Sequence, residues 1–328
     1  MVPQAPIAER LIAGERNALA RLISWAENGD KRFPAALAGI YSRVGKGWRT
    51  GVTGPPGAGK STLVNELTRI LRERDKTVGI LAVDPSSPFT GGALLGDRIR
   101  MEDRTMDPGV FIRSMATRGS HGGMARATVD ACDVMDAFGF DELLVETVGV
   151  GQAEYDVVTA ADTVLVVLCP GAGDGIQAMK SGLLEVADVL VVNKADLKGS
   201  DRLADDLEEA VHIRTAGKDL WEPPVVCCSA GTAADVEGVI EAVTAHRAHL
   251  QTGDLEPRRK AKRVEQVQRV VTERLGEAIW TGCGYHEQVQ TLLDGENTPY
   301  DVASKVLDVL LDGIGDASSP PKRGANRT

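Results

Sequence analysis

Through the middle of this chain, short apolar runs rich in β-branched residues alternate with longer stretches whose apolar positions recur every three or four residues. Between residues 48 and 230 the runs "TVGILAVD", "VFIRSMA", "ELLVE", "TVLVVLC", "DVLVVN" and "PVVCCSA" are nearly continuous in hydrophobic character. Strands of that kind, separated by helical stretches, predict a mostly parallel sheet covered by helices on both faces, an α/β fold. Residues 7–43 show no strand alternation and read as two helices, "IAERLIAGERNALARLISWAEN" and "KRFPAALAGIYSRV", divided by "NGD". Residues 235–250 read as one closing helix. From Glu256 the pattern is helical throughout, with Val264, Val267, Val271, Leu275 and Ala278 near heptad spacing and further helices around 285–293 and 299–311. The expected organisation is a helical extension over 1–46, an α/β domain over 47–255, a helical arm over 256–314 and a disordered tail over 315–328.

Composition narrows the setting. The 328 residues, 43% hydrophobic and 26% charged, are those of an ordinary globular protein, and the net charge of −10 argues against nucleic acid as a partner. No apolar run approaches the roughly 18 residues of a membrane span, so no membrane association is expected. The N-terminal stretch lacks signal-peptide or transit character, which makes a cytoplasmic setting the expectation. Five cysteines without a C-x-x-C spacing read as reduced, mostly buried thiols. Two further features read as solvated surface: His246 and His249 in "AHRAHL", and the basic run "PRRKAKR" at the entry to the C-terminal arm.

The chemistry enters at Gly54-Pro55-Pro56-Gly57-Ala58-Gly59-Lys60-Ser61, which matches the phosphate-loop pattern G-x-x-x-x-G-K-[ST] at every fixed position. It follows a β-prone run and precedes "STLVNELTRILRER", whose apolar residues have helical spacing. Glycines let backbone N–H groups converge on phosphate oxygens, and the helix N-terminus, with Thr62 in its first turn, adds partial positive charge. Lys60 is placed to bridge the β- and γ-phosphates and Ser61 to ligate Mg²⁺. The base is specified by Asn193-Lys194-Ala195-Asp196, directly after a buried strand. An aspartate there pairs with the N1–H and 2-amino group of guanine, and adenine would leave it unpaired. "CSA" after the next strand sets the backbone of Ser229 and Ala230 to approach guanine O6. The nucleotide is therefore GTP/GDP. In "ELLVETVGVGQ", Glu146-Thr147-Val148-Gly149 stands where Asp-x-x-Gly is expected, with Glu146 acting on Mg²⁺ or its waters and the Gly149 N–H detecting the γ-phosphate. Gln152 lies three residues beyond Gly149, too far along to be assigned as the water-orienting residue.

Between the phosphate loop and that strand lies "VDPSSPFTGGALLGDRIRM", polar and glycine-rich, a mobile segment that γ-phosphate and Mg²⁺ could order. With "ATRGSHGGMA", "ETVGVGQAE", "PGAGDGIQAMKSGLLE" and "NKADL", it resembles the GTPase chaperones of adenosylcobalamin-dependent methylmalonyl-CoA mutase, the MeaB/ArgK type. Some members of that type carried an older label as arginine/ornithine transport kinases. The resemblance spans roughly residues 10–312. It implies a P-loop GTPase core, a C-terminal arm that forms a homodimer, slow hydrolysis stimulated by the mutase, and use of GTP to gate cofactor loading and to protect the mutase. Carried over by motif, Asp84, Asp97 and Glu146 join Ser61 in the Mg²⁺ and switch machinery, with Lys60, Asp97, Glu146 and Gly149 serving hydrolysis. "GAGDGIQAMK" looks like a further switch that touches the mutase, with Asp174 and Lys180 its residues to test. His121 gains no catalytic support. A GTP- or ATP-dependent kinase linked to arginine/ornithine transport is the alternative. A metallochaperone GTPase lacks its His-rich or Cys-paired sites here, and a protein-targeting GTPase lacks its Met-rich domain.

Overall fold

The computed structural model describes residues 5–84, 107–116, 121–147, 153–171, 182–218, 220–282, 285–293 and 298–315. Two compact units emerge, residues 1–266 and 267–328.

The first unit is built on seven strands: β1 (Trp48–Thr53), β2 (Val78–Asp84), β3 (Val110–Ala116), β4 (Glu142–Thr147), β5 (Thr163–Leu168), β6 (Val189–Asn193) and β7 (Val225–Cys228). Every pairing is parallel, in the order β3-β2-β4-β1-β5-β6-β7. All residues of β1, β4, β5 and β6 are buried, which is why β5 and β6 read as nearly unbroken apolar runs. Helices α1 (Ile7–Ile12), α2 (Arg16–Glu27), α3 (Phe33–Ile40), α5 (His121–Phe138) and α6 (Ala153–Ala160) belong to one core, on one face. Helix α4 (Lys60–Glu73) and α9 (Val236–Gln251) share a second core, and the short α7 (Leu183–Val186) and α8 (Ser200–Thr215) a third around β5 and β6. The first predicted N-terminal helix is two, because the chain turns at Gly14 with φ +84°, a conformation that L side chains resist.

Helix α10 (Leu255–Glu277) begins in this unit. Here the structure corrects the solvated reading of "PRRKAKR". Arg258 makes a two-pronged ion pair with Asp188 at 2.7 and 3.1 Å, and Arg259 one with Asp162 at 2.7 and 2.9 Å. Arg263 meets Asp133 at 3.1 Å and Gln266 donates to Asp130 at 3.1 Å. The buried Arg49 reaches Asp133 at 2.7 Å and Asp136 at 3.0 Å. Asp136 also accepts the N–H groups of Gly45, Lys46 and Gly47. Basic residues at i, i+1, i+4 and i+5 lie on one helix face; Arg258, Arg259 and Arg263 are spent on carboxylates and Lys262 on backbone carbonyls.

The reading of His246 as surface is also overturned. It is fully buried, its Nδ1 lies 2.9 Å from the Thr163 hydroxyl, and the Trp221 ring packs beside it. The helical period on α9 puts Val239, Ile240, Ala242, His246 and Leu250 inward, and the histidine shares that face. The thiols of Cys132, Cys169 and Cys228 are free and buried, as expected, while Cys227 is exposed.

The second unit holds the remainder of α10, a π-helical turn at Ala278–Gly282, α11 (Tyr285–Leu293) and α12 (Pro299–Gly315). Thr298 caps α12: its hydroxyl donates to the Asp301 carboxylate at 2.7 Å and accepts the Asp301 N–H at 3.3 Å. Val302 and Val306 are buried along that helix.

Burial lowers the His246 pKa to about 4, with Asp188 opposing the shift only in part. The unfolded chain takes up this proton near pH 6.5, so folding stability is lost as pH falls from there toward 4. Glu142 acts in the opposite sense, since burial pushes it up to about 7 and the folded chain holds its proton first. Replacing His246 by Gln should therefore narrow the stability gap to wild type by up to roughly 3 kcal/mol between pH 7 and 4.5. Urea denaturation of both proteins at the two pH values measures it, and a gap that stays constant would show that His246 titrates normally.

Candidate nucleotide site

The carboxyl ends of β1, β4, β6 and β7 converge at one edge of the sheet, where β1 is flanked by β4 on one side and β5 on the other. Such an edge, where successive connections part to opposite sides, is where α/β sheets bind ligands. The phosphate loop leaves β1 at Thr53 and enters α4 at Lys60. Its glycines are enforced by geometry. At Gly54 φ is +136° and a Cβ would stand 2.1 Å from the Val167 carbonyl oxygen. At Gly59 φ is +89° and a Cβ would stand 2.4 Å from Asn193 Nδ2. Pro55, Pro56 and Gly57 form the outer rim, Ala58 is buried, and Thr62 is exposed in the first turn of α4. Lys60 is buried and donates to the carbonyls of Gly54 at 2.7 Å and Pro55 at 3.0 Å, so its ammonium lies across the loop it serves.

Ser61 and Glu146 are brought together from 85 residues apart, the hydroxyl donating to Glu146 Oε1 at 2.5 Å. Glu146 lies on β4, paired in register with Val52 of β1 and Ala82 of β2, and is almost fully buried. Asp84 ends β2 at this same edge, opposite Ala116 of β3. A hydroxyl and a carboxylate in contact are hard oxygen donors, and Mg²⁺ in phosphate-binding sites takes one or two such protein ligands beside substrate phosphates and water. The donor set fits that ion. Among the described residues no group of three or more His, Cys, Asp or Glu side chains could hold a metal, and the pair is a partial shell. Asp97, Gly149, Asp174 and Lys180 lie outside the described residues, as does Gln152.

The guanine motif forms one connected unit. Asn193, buried at the end of β6, donates from Nδ2 to the Ala58 carbonyl at 2.8 Å and so ties the base-reading loop to the phosphate loop. Its Oδ1 accepts the N–H groups of Lys194 at 2.9 Å and Ala230 at 3.0 Å. Lys194 takes φ +58° and lays its ammonium on the Gly57 carbonyl at 2.8 Å. The Ser229 hydroxyl donates to Asp196 Oδ1 at 2.8 Å and accepts the Asp196 N–H at 3.2 Å. The Ser229 and Ala230 amides have protein acceptors here, Ala234 O and Asn193 Oδ1. Sequence reasoning assigned Ser229 only a backbone role, and its side chain is what orients the Asp196 carboxylate. A serine one residue after a strand carries no mark that distinguishes the two roles.

Fold and site together define a P-loop GTPase. A family model described as "Methylmalonyl Co-A mutase-associated GTPase MeaB" matches residues 19–283, and the chain belongs to that family. A GTPase-named protein of Pyrococcus horikoshii is 42% identical over 319 residues, covering 95% of this chain and 99% of its own. The GTPase ArgK of Escherichia coli is 36% identical over 309 residues, covering 90% and 93%. The mouse (Mus musculus) protein named methylmalonic aciduria type A homolog, mitochondrial, is 31% identical over 326 residues, covering 92% and 77%. Among solved structures, one titled LAO/AO transport system kinase superposes with a TM-score of 0.71 at 27% identity, covering 95% of this chain and 99% of its own. The chain binds guanine nucleotide and hydrolyses GTP.

Two substitutions test how the base is read. Asp196→Asn should weaken GTP and admit xanthosine triphosphate, whose 2-oxo group suits an amide donor. Ser229→Ala, which frees the carboxylate, should weaken GTP by about 1 kcal/mol, roughly fivefold, without changing base preference. Titration with fluorescent GTP, GDP and xanthosine triphosphate reads both, and undiminished GTP affinity in Asp196→Asn would remove Asp196 from the base.

Proposed function

We propose that this GTPase is a chaperone of an adenosylcobalamin-dependent acyl-CoA mutase, methylmalonyl-CoA mutase or a near relative, using GTP to gate cofactor loading and protect the loaded enzyme. The observation that carries the reading is the match to a mutase-associated GTPase family over residues 19–283, with the phosphate loop and the base motif of this chain both assembled. In hydrolysis Lys60 would neutralise developing phosphate charge, and Ser61 with Glu146 would hold Mg²⁺, which supplies electrostatic stabilisation of the transferred phosphoryl group when bound. Asp84 and Asp97 are assigned to the same machinery, Gly149 to sensing the γ-phosphate, and Asp174 and Lys180 to the contact with the mutase. A cytoplasmic setting accords with the free thiols of Cys132, Cys169 and Cys228.

The arm is assigned to a homodimer. Val264, Val267, Val271 and Leu275 are each at least half exposed along α10, and a folded monomer gains nothing from such a stripe. A kinase acting on arginine or ornithine is not favoured, since the Escherichia coli relative is named a GTPase.

Steady-state GTP hydrolysis with and without apo and cobalamin-loaded methylmalonyl-CoA mutase is the decisive measurement. Stimulation of at least about tenfold is expected, or 1.4 kcal/mol, reduced in Asp174→Ala and Lys180→Ala with nucleotide affinity intact. No stimulation, together with phosphate transfer to arginine, would replace this reading with the kinase. For assembly, a chain ended after Gln266 keeps the ion pairs of Arg258, Arg259 and Arg263 and should run as a monomer in light scattering while still binding GTP; a dimer would take the interface elsewhere.

A further inference from the structure

Helix α6 follows β4 directly in the chain, only residues 148–152 separating Thr147 from Ala153, so its start is tied to the strand that presents Glu146. Its other end is held unusually firmly. Val157 is fully buried on β1, so close that a Cβ on Gly51 would come within 2.4 Å of the Val157 side chain and 2.9 Å of Ala161. Ala161 and Asp162, which follow the helix, are buried, and the Asp162 N–H donates to the Arg49 carbonyl at 2.7 Å.

The remaining attachments come from α10. The last carbonyls of a helix have no partner within it and carry partial negative charge. Lys262 donates its ammonium to the Val158 carbonyl at 2.9 Å and to that of Ala161 as well. Arg259 grips the Asp162 carboxylate through two nitrogens. A small cavity of about 40 Å³ between these groups is lined by Thr159, Ala160, Lys262 and Gln266 among others. Among the described contacts Lys262 has no carboxylate partner. Burial lowers its pKa to about 8, with Arg258 adding to the effect. Keeping a half-buried ammonium on two carbonyls carries a desolvation cost that a methionine of similar length would not. The anchoring of α10 does not require it, since Arg258, Arg259, Arg263 and Gln266 already fasten that helix.

We propose that Lys262, supported by Arg259, is a positioning residue for GTP hydrolysis: it fixes the far end of α6 so that the end joined to the Glu146 strand moves about a set pivot. This rests on GTP hydrolysis by the chain and not on the identity of any partner. A helix pinned at one end transmits a displacement at the other as a rotation. With the Lys262 bonds gone the last turn of the helix has fewer fixed points and absorbs part of that displacement.

Lys262→Met, which keeps the packing of the stem and removes the donor, tests the proposal, with Lys262→Gln as a variant that retains a neutral donor. In the full-length protein, kcat for GTP hydrolysis should fall about tenfold in Lys262→Met, with KM and GDP affinity within twofold of wild type and Tm unchanged or raised. Lys262→Gln should recover a large part of the rate. Hydrogen exchange across 153–160 should become faster in Lys262→Met with GDP bound. An unchanged kcat in a folded Lys262→Met would overturn the proposal. A loss of kcat, nucleotide affinity and Tm together in both variants would also overturn it, since that is the mark of a merely structural contact. A wild-type protein that binds GTP without hydrolysing it would instead remove the activity on which the proposal rests.

Discussion

Carboxylates buried at the start of the strands must be paired, and the first unit is organised around meeting that requirement. Asp133, Asp136, Asp162 and Asp188 are all nearly or wholly inaccessible. A single unpaired charge in such a position costs several kcal/mol, and breaking a buried pair typically costs about 3 to 5 kcal/mol. The partners come from two distant parts of the chain, Arg49 on β1 and the basic face of α10. Burial alone would drive the proton from Arg49, and the carboxylates of Asp133 and Asp136 reverse that effect. For Asp162 burial favours the neutral acid, and the Arg259 hydrogen bonds outweigh it and hold the carboxylate ionised. Such pairs contribute little net stability over a well-packed apolar core, but they admit few alternative partners, so they specify which helix lies where.

The two edges of the sheet follow different chemistry. At the carboxyl edge the working groups are backbone amides and carbonyls shaped by glycine, with Asn193, Ser61 and Ser229 crossing between loops. At the opposite edge the contacts are built on charged side chains, paired with one another and with backbone amides and carbonyls. Helices α5 and α6 run between the two, and an 18-residue helix such as α5 spans roughly 27 Å.

This division explains what could be read from the chain alone. The phosphate loop and the guanine motif are contiguous, because one turn of backbone must supply several groups at once. The parallel sheet was visible because burial on both faces leaves unbroken runs such as "TVLVVL". The ionic edge has no local signature. Arg49 and Asp133 are 84 residues apart, Arg259 and Asp162 are 97 apart, and Arg263 and Asp133 are 130 apart. Each basic residue, seen singly, has the composition of a solvated helix. His246 is the same case at smaller scale, a polar residue on a buried helix face whose partner Thr163 is 83 residues away. The spacing of Arg258, Arg259, Lys262 and Arg263 did hold a clue, since a one-sided run of four cations calls for a surface to receive it.

Helix α5 shows why that surface and the run belong together. Asp130, Asp133 and Asp136 stand three residues apart in its last turns. Acidic side chains near a helix C-terminus oppose the helix dipole, by up to about 1 kcal/mol each. Burial adds a desolvation cost to each carboxylate, so on its own sequence α5 would be poorly stabilised where it packs most deeply. Arg49, Arg263 and Gln266 supply the opposing charge and hydrogen bonds, and two of those three belong to α10. The start of α10 thus belongs to the first unit through its ion pairs, and the compact unit runs to Gln266 and does not stop where the basic run begins.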